Sequence, residues 1–96
     1  MIDGIKIKAT DNVVTALRDI APNEEVSVAC GERKKLMRVT ESIPFGHKFA
    51  DRDIAMGDSV VKYGEIIGRA TRDIPSGAHA HVHNIESLRG RGDWNE

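Results

Sequence analysis

Arg18-Asp19-Ile20-Ala21-Pro22-Asn23, Arg52-Asp53-Ile54-Ala55-Met56-Gly57 and Arg72-Asp73-Ile74-Pro75-Ser76-Gly77 are three copies of one phrase, and their reading decides the fold. Each copy sets an apolar anchor, isoleucine, three residues ahead of a glycine or asparagine. Gly and Asn tolerate positive φ, so the chain can reverse sharply there. Pro22 and Pro75 bring a preset φ that suits a tight turn. The copies begin at residues 18, 52 and 72, with no fixed period, which excludes a solenoid. One local solution is used repeatedly.

The segments after these turns read as strands. Glu25-Val26-Ser27-Val28, Ser59-Val60-Val61-Lys62-Tyr63 and Ala80-His81-Val82-His83 mix apolar and polar positions in the manner of half-buried strands. Ile5-Lys6-Ile7-Lys8, Lys35-Leu36-Met37-Arg38-Val39 and Glu65-Ile66-Ile67-Gly68-Arg69-Ala70 add further short strands. Tyr63 and Ile66 are expected to flank a tight reversal at Gly64. For Asn12-Val13-Val14-Thr15-Ala16-Leu17 two forms are open. Its β-branched residues favour a strand, while Asp11 or Asn12 could cap a short helix. Nothing has the length and periodicity of a long amphipathic helix. The expectation is a mostly β domain of short strands and many turns, with at most short helices.

Composition bounds the function. With 96 residues the chain makes one small domain that buries about 64% of its surface, too little for a deep, walled active site of its own. Fourteen Lys and Arg against fifteen Asp and Glu leave a net charge of −1, so no basic excess draws it to nucleic acid. Phe45, Phe49, Tyr63 and Trp94 are too few rings for a base-stacking platform. Near-neutral charge does little to keep copies apart, which leaves a homo-oligomer of the isolated chain open. Cys30 is the only cysteine; it excludes an internal disulfide, fits a cytoplasmic setting and reads as a small buried or turn residue. No apolar run approaches the ~20 residues of a membrane span, and the N-terminus lacks a signal-peptide pattern. Residues 1–88 are expected to form the domain and 89–96 a flexible tail, with Trp94 either loosely attached or an anchor for a partner chain.

The chemistry concentrates in Gly77-Ala78-His79-Ala80-His81-Val82-His83-Asn84. Three of the four histidines alternate there. On a strand His79, His81 and His83 would share one face at ~7 Å intervals, with Ala80 and Val82 turned into the core. Three adjacent imidazoles cannot be buried unpartnered without cost. They form either a solvated polar face or a metal or substrate site. Asn84 suits a supporting or substrate-binding role. Gly46-His47-Lys48, Lys62-Tyr63-Gly64 and Gly68-Arg69 each set a cation beside or near a glycine, as anion pockets do; solvated turns are the alternative. Glu32-Arg33-Lys34-Lys35 reads as a solvated hairpin.

The ordered series Pro44-Phe45-Gly46-His47-Lys48, Asp53-Ile54, Gly57, Val61-Lys62-Tyr63-Gly64, Ile67-Gly68-Arg69-Ala70, Ile74-Pro75-Ser76-Gly77 and His81-Val82-His83-Asn84 resembles the SAF module of the altronate and galactarate dehydratase family. Asp11-Asn12-Val13 and residues 87–93 fit the same pattern, so the resemblance spans nearly the whole chain. It implies the β-clip fold shared with type III antifreeze proteins. It implies the small subunit of an iron- or manganese-dependent (Fe2+ or Mn2+) lyase, paired with a large dehydratase subunit and acting on a sugar acid to leave a 2-keto-3-deoxy acid. The sulfolactate sulfo-lyase small subunit is similar. In such an enzyme His81 and His83 are the expected acid/base groups, and His79, His81 and His83 the expected metal ligands. His47, Lys48, Lys62, Arg69 and Asn84 are the expected substrate contacts. A SAF module that binds a carbohydrate acid or a protein partner without catalysis is the rival.

Overall fold

The structure, a computed structural model, describes residues 1–87. Its building block is the repeated turn. Each copy closes through an i to i+3 hydrogen bond: Glu24 N donates to Ala21 O (3.2 Å), Asp58 N to Ala55 O (2.9 Å) and Ala78 N to Pro75 O (3.0 Å). Residue i+2 takes positive φ in every case, 66° at Asn23, 92° at Gly57 and 86° at Gly77, the type II pattern. A fourth copy, less obvious because serine replaces aspartate, runs Ser42-Ile43-Pro44-Phe45-Gly46. His47 N closes it on Pro44 O at 3.0 Å, with Gly46 at φ 83°.

The four copies pair off. Ile20 and Ile43 exchange both backbone hydrogen bonds, at 2.8 and 2.9 Å, and Ile54 and Ile74 do the same at 2.8 and 2.7 Å. The aspartate of the phrase ties each pair together. Asp19 Oδ1 accepts from Phe45 N, Asp73 Oδ1 from Met56 N and Asp53 Oδ1 from Ser76 N, at 2.7–2.9 Å. The recurring Asp is therefore a cap for the opposite turn, and the recurring Ile fills a core.

Nine short strands connect these turns: β1 Gly4–Lys6, β2 Val13–Ala16, β3 Glu25–Cys30, β4 Arg33–Arg38, β5 Lys48–Ala50, β6 Ser59–Lys62, β7 Glu65–Ala70, β8 His79–Ala80 and β9 Ile85–Ser87. The residues 12–17 segment resolves as strand, and there is no helix among the described residues. A six-stranded sheet runs β4-β3-β1-β2-β5-β8, with β1 and β3 parallel, and a three-stranded sheet runs β6-β7-β9. Strand alternation feeds two cores. Val14 and Phe49 pack with Ile20, Val26, Val28, Val39 and Ile43, while their neighbours Val13 and Ala50 pack with Ile54, Val60, Ala70, Ile74 and Ile85. Each paired-turn unit thus has its own core, and β2 and β5 divide them. This two-sheet, all-β arrangement is the β-clip expected of a SAF module.

Three local expectations change. The reversal after β6 is made by Tyr63-Gly64 itself, with Lys62 opposite Glu65; Tyr63 belongs to the turn rather than flanking it. The hairpin at Gly31-Glu32 forms, yet Lys35 is not simply solvated, since its Nζ lies 2.6 Å from the buried Asp51 carboxylate. The histidine strand is short: β8 stops at Ala80, and residues 81–84 form a turn in which Asn84 N and Ile85 N both donate to His81 O. Val82, expected in the core, is 80% exposed at the tip of that turn, whereas Ala80 is buried as expected. The expected tail, residues 89–96 with Trp94, lies outside the described residues.

Candidate functional site

β5 and β8 pair antiparallel, with Lys48 opposite Ala80 and Phe49 opposite His79. That register carries His47, which precedes β5, beside the histidines of β8 and its following turn. His47 Nδ1 and His79 Nε2 are 2.9 Å apart. The His47 ring stacks on His81 at 4.2 Å between centroids and on His79 at 5.1 Å. The His79 and His81 rings are nearly parallel, with centroids 5.4 Å apart. His83 joins only at the edge, exposed and tilted 5.2 Å from His79. The cluster exists, but a turn and a second strand build it rather than one long strand face.

Local hydrogen bonds fix the cluster. Asn84 is buried, its Oδ1 accepting from His81 N (2.9 Å) and its Nδ2 donating to His79 O (2.8 Å). Its amide is spent on the turn that aims the two rings. Glu41 Oε2 accepts from His79 N at 3.0 Å.

Burial and neighbouring charge both disfavour the protonated form of His79 and His81. Burial pushes the His79 pKa down, with His83, His47 and His81 adding to the effect. Burial also lowers His81, followed by His47, Lys48 and His83. Neutral imidazoles offer lone pairs. One ring nitrogen each from His47, His79 and His81 lie within 4.8 Å of one another, a set that can hold a metal ion. His81 Nδ1 is buried without a hydrogen-bond partner, which is costly unless something binds it. Imidazole donors suit first-row divalent ions, so these residues fit a metal. His83 stands outside this set.

His81 also opens onto a shallow cleft of about 430 Å³ lined by Lys48, Lys62, Tyr63, Glu65, Ile67, Val82, Ile85 and Ser87. Lys48 and Lys62 face it without a carboxylate in salt-bridge range among the described residues. Burial, then the charge of Lys62, pushes the Lys48 pKa down. An incoming anion would offset both effects by favouring the charged ammonium. The structure thus joins two of the three cation-bearing turns, Gly46-His47-Lys48 and Lys62-Tyr63-Gly64. Arg69 is exposed on β7, opposite Glu86 and Ser59, and does not line the cleft. Tyr63, Glu65 and Ser87 were not singled out as contacts from sequence. The signal for Tyr63 was present, in the odd placing of a tyrosine before the turn glycine.

A small β domain with a polar, metal-competent cluster at the edge of an anion-ready cleft is the class these features define. The chain belongs to the altronate/galactarate dehydratase SAF domain family, whose profile matches residues 2–88. It is 48% identical over 83 residues to the altronate dehydratase of Escherichia coli K12, covering 86% of this chain and 16% of that protein. To the (2R)-sulfolactate sulfo-lyase subunit alpha of Chromohalobacter salexigens it is 43% identical over 58 residues, 60% of this chain and 62% of that subunit. To the galactarate dehydratase (L-threo-forming) of E. coli K12 it is 36% identical over 74 residues, 77% of this chain and 13% of that protein. The chain therefore spans about a sixth of the length of the altronate dehydratase it matches. No helix among the described residues is long and apolar enough to cross a membrane.

Proposed function

We propose that this chain is the small, site-completing subunit of a cytoplasmic, metal-dependent sugar-acid dehydratase that works with a large catalytic chain. The reaction class is a hydro-lyase that removes water from an acid of the altronate or galactarate type to leave a 2-keto-3-deoxy acid. The observation that carries the reading is that His81, a member of the His47–His79–His81 cluster, opens onto the same shallow cleft as Lys48 and Lys62, which have no carboxylate partner among the described residues. Similarity to a subunit named alpha in a lyase supports the partner chain.

The residues suit the chemistry. Elimination needs a carboxylate held, the proton α to it removed and the leaving hydroxyl protonated. Lys48 and Lys62 supply the ammonium groups for the carboxylate. His81, at the cleft, is placed to take a proton, and His83 beside His79 to exchange one with solvent. Asn84 positions His81 rather than touching substrate. Arg69 meets substrate only through a surface the large chain completes. Fe2+ or Mn2+, held by His47 and His79 together with ligands of the large chain, would supply Lewis-acid stabilisation of charge developing at the carboxylate and leave the His81 lone pair for the proton.

Reconstitution tests this. The full chain and its catalytic partner are purified apart, then assayed separately and mixed against altronate, galactarate and sulfolactate. The proposal expects turnover of a sugar acid only from the mixture, and at least a 100-fold loss with His81→Ala. Turnover of sulfolactate alone would reassign the chain to the sulfo-lyases. Equal sugar-acid turnover without this chain would make it a binding module.

A further inference from the structure

Tyr63 occupies a backbone conformation that its side chain disfavours. It sits at φ 57°, ahead of Gly64 at φ 78°, as the first central residue of a two-residue hairpin turn. Turns with positive φ at both positions favour Asn, Asp or Gly first. A bulky residue there is strained, and such strain persists where the surroundings over-determine it, often at ligand sites. Among the described residues the other non-glycine with positive φ is Asn23, which suits it.

The surroundings are identifiable. Asp11 is fully buried, its Oδ1 accepting from Gly64 N (2.8 Å) and its Oδ2 from Ile7 N and Lys8 N (both 3.1 Å). Burial pushes its carboxyl up, but the Gly64, Lys8, Tyr63 and Ile7 amides outweigh it and hold it low. Asn12 fixes the strand before the turn: its Oδ1 accepts from Val61 N (2.7 Å) and its Nδ2 donates to Ser59 O (2.9 Å). The Asp11-Asn12 pair clamps the β6–β7 hairpin to the main sheet. What the clamp presents at the cleft is Tyr63, a residue 47% exposed, with Lys62 Nζ 4.9 Å from its ring centroid.

We propose that Tyr63 is a ligand-contacting residue of the Lys48–Lys62–His81 cleft. Its phenol donates a hydrogen bond to an oxygen of the bound hydroxy acid, its ring keeps Lys62 aimed inward, and Asp11 is the positioning residue that holds it there. This rests on the functional reading above.

The test uses Tyr63→Asn and Tyr63→Phe in the full chain. Asn fits the turn better, so Tyr63→Asn should raise Tm by about 4 °C. It should also raise KM for the sugar acid about tenfold in the assembled enzyme and weaken galactarate binding, followed by NMR titration of the chain, by a similar factor. Tyr63→Phe keeps the strain and the ring, so its Tm should match wild type while KM rises. A Tyr63→Asn protein with higher Tm but wild-type KM and galactarate affinity overturns the proposal and leaves the functional reading intact. Absence of turnover from the wild-type assembly overturns that reading instead, and the galactarate titration then decides Tyr63 by itself. A wild-type chain that neither turns over the acid when assembled nor binds galactarate overturns both.

Discussion

Asp51 is 7% exposed, and two lysines answer its charge. Lys6 Nζ lies 2.8 Å from Oδ2 and Lys35 Nζ 2.6 Å from Oδ1, while Lys6 also donates to Asp11 O. Burial pushes the Asp51 carboxyl up, yet the ammonium groups of Lys35 and Lys6 beside it prevail and its pKa sits below the ordinary 3.8. A depressed native pKa means the stability it contributes is present above the unfolded value and lost as pH falls through the folded one. Asp51→Asn should therefore flatten part of the acid limb of stability against pH, leaving the share of Asp3 and Asp11, which are lowered too. Asp51→Ala leaves Lys6 buried and unpaired, and should cost about 3–5 kcal/mol in urea melts at neutral pH. A loss below about 1 kcal/mol would show that Lys6 finds solvent instead. None of this network was legible in sequence. Asp51 stands 45 residues from Lys6, and a charge just past a short strand looks solvated until its partners are known.

The turns were the most legible elements. Their Ile-to-Gly spacing encodes an anchor and a reversal, and both are found where the phrase puts them. The pairing of turns was not legible, because the fourth copy carries Ser42 where the others carry aspartate. Recognising that copy would have paired it with the first turn and shown that it delivers the chain into β5. Gly77 makes the requirement sharp. Its φ is 86°, and a Cβ there would sit 2.4 Å from Arg38 O. Gly77→Ala should destabilise by more than about 2 kcal/mol, read as a lowered urea midpoint with unchanged slope. A change within about 0.5 kcal/mol would mean that residues 38–39 yield freely. The histidine run was misjudged for a related reason: period-two alternation does not distinguish a strand from a strand that ends in a turn. Asn84 takes the chain out of the sheet after Ala80 and turns Val82 outward.

Across the whole molecule, two small cores back to back leave no room for an enclosed active site. The histidine and lysine groups lie at the surface, where β5, β8 and the β6–β7 hairpin converge on an open cleft. The resemblance to dehydratase SAF modules was readable because its short motifs fall in order along the chain, and the family match over residues 2–88 bears it out. Which rings converge was not readable, because that depends on the β5–β8 register. The most direct test of the central claim labels only this chain's histidines with 15N and adds Mn2+ to the complex with its catalytic partner. The account predicts strong paramagnetic broadening of His47, His79 and His81, weaker broadening of His83, and reversal by chelator. Histidine signals that stay sharp while the complex is saturated with Mn2+ would contradict it.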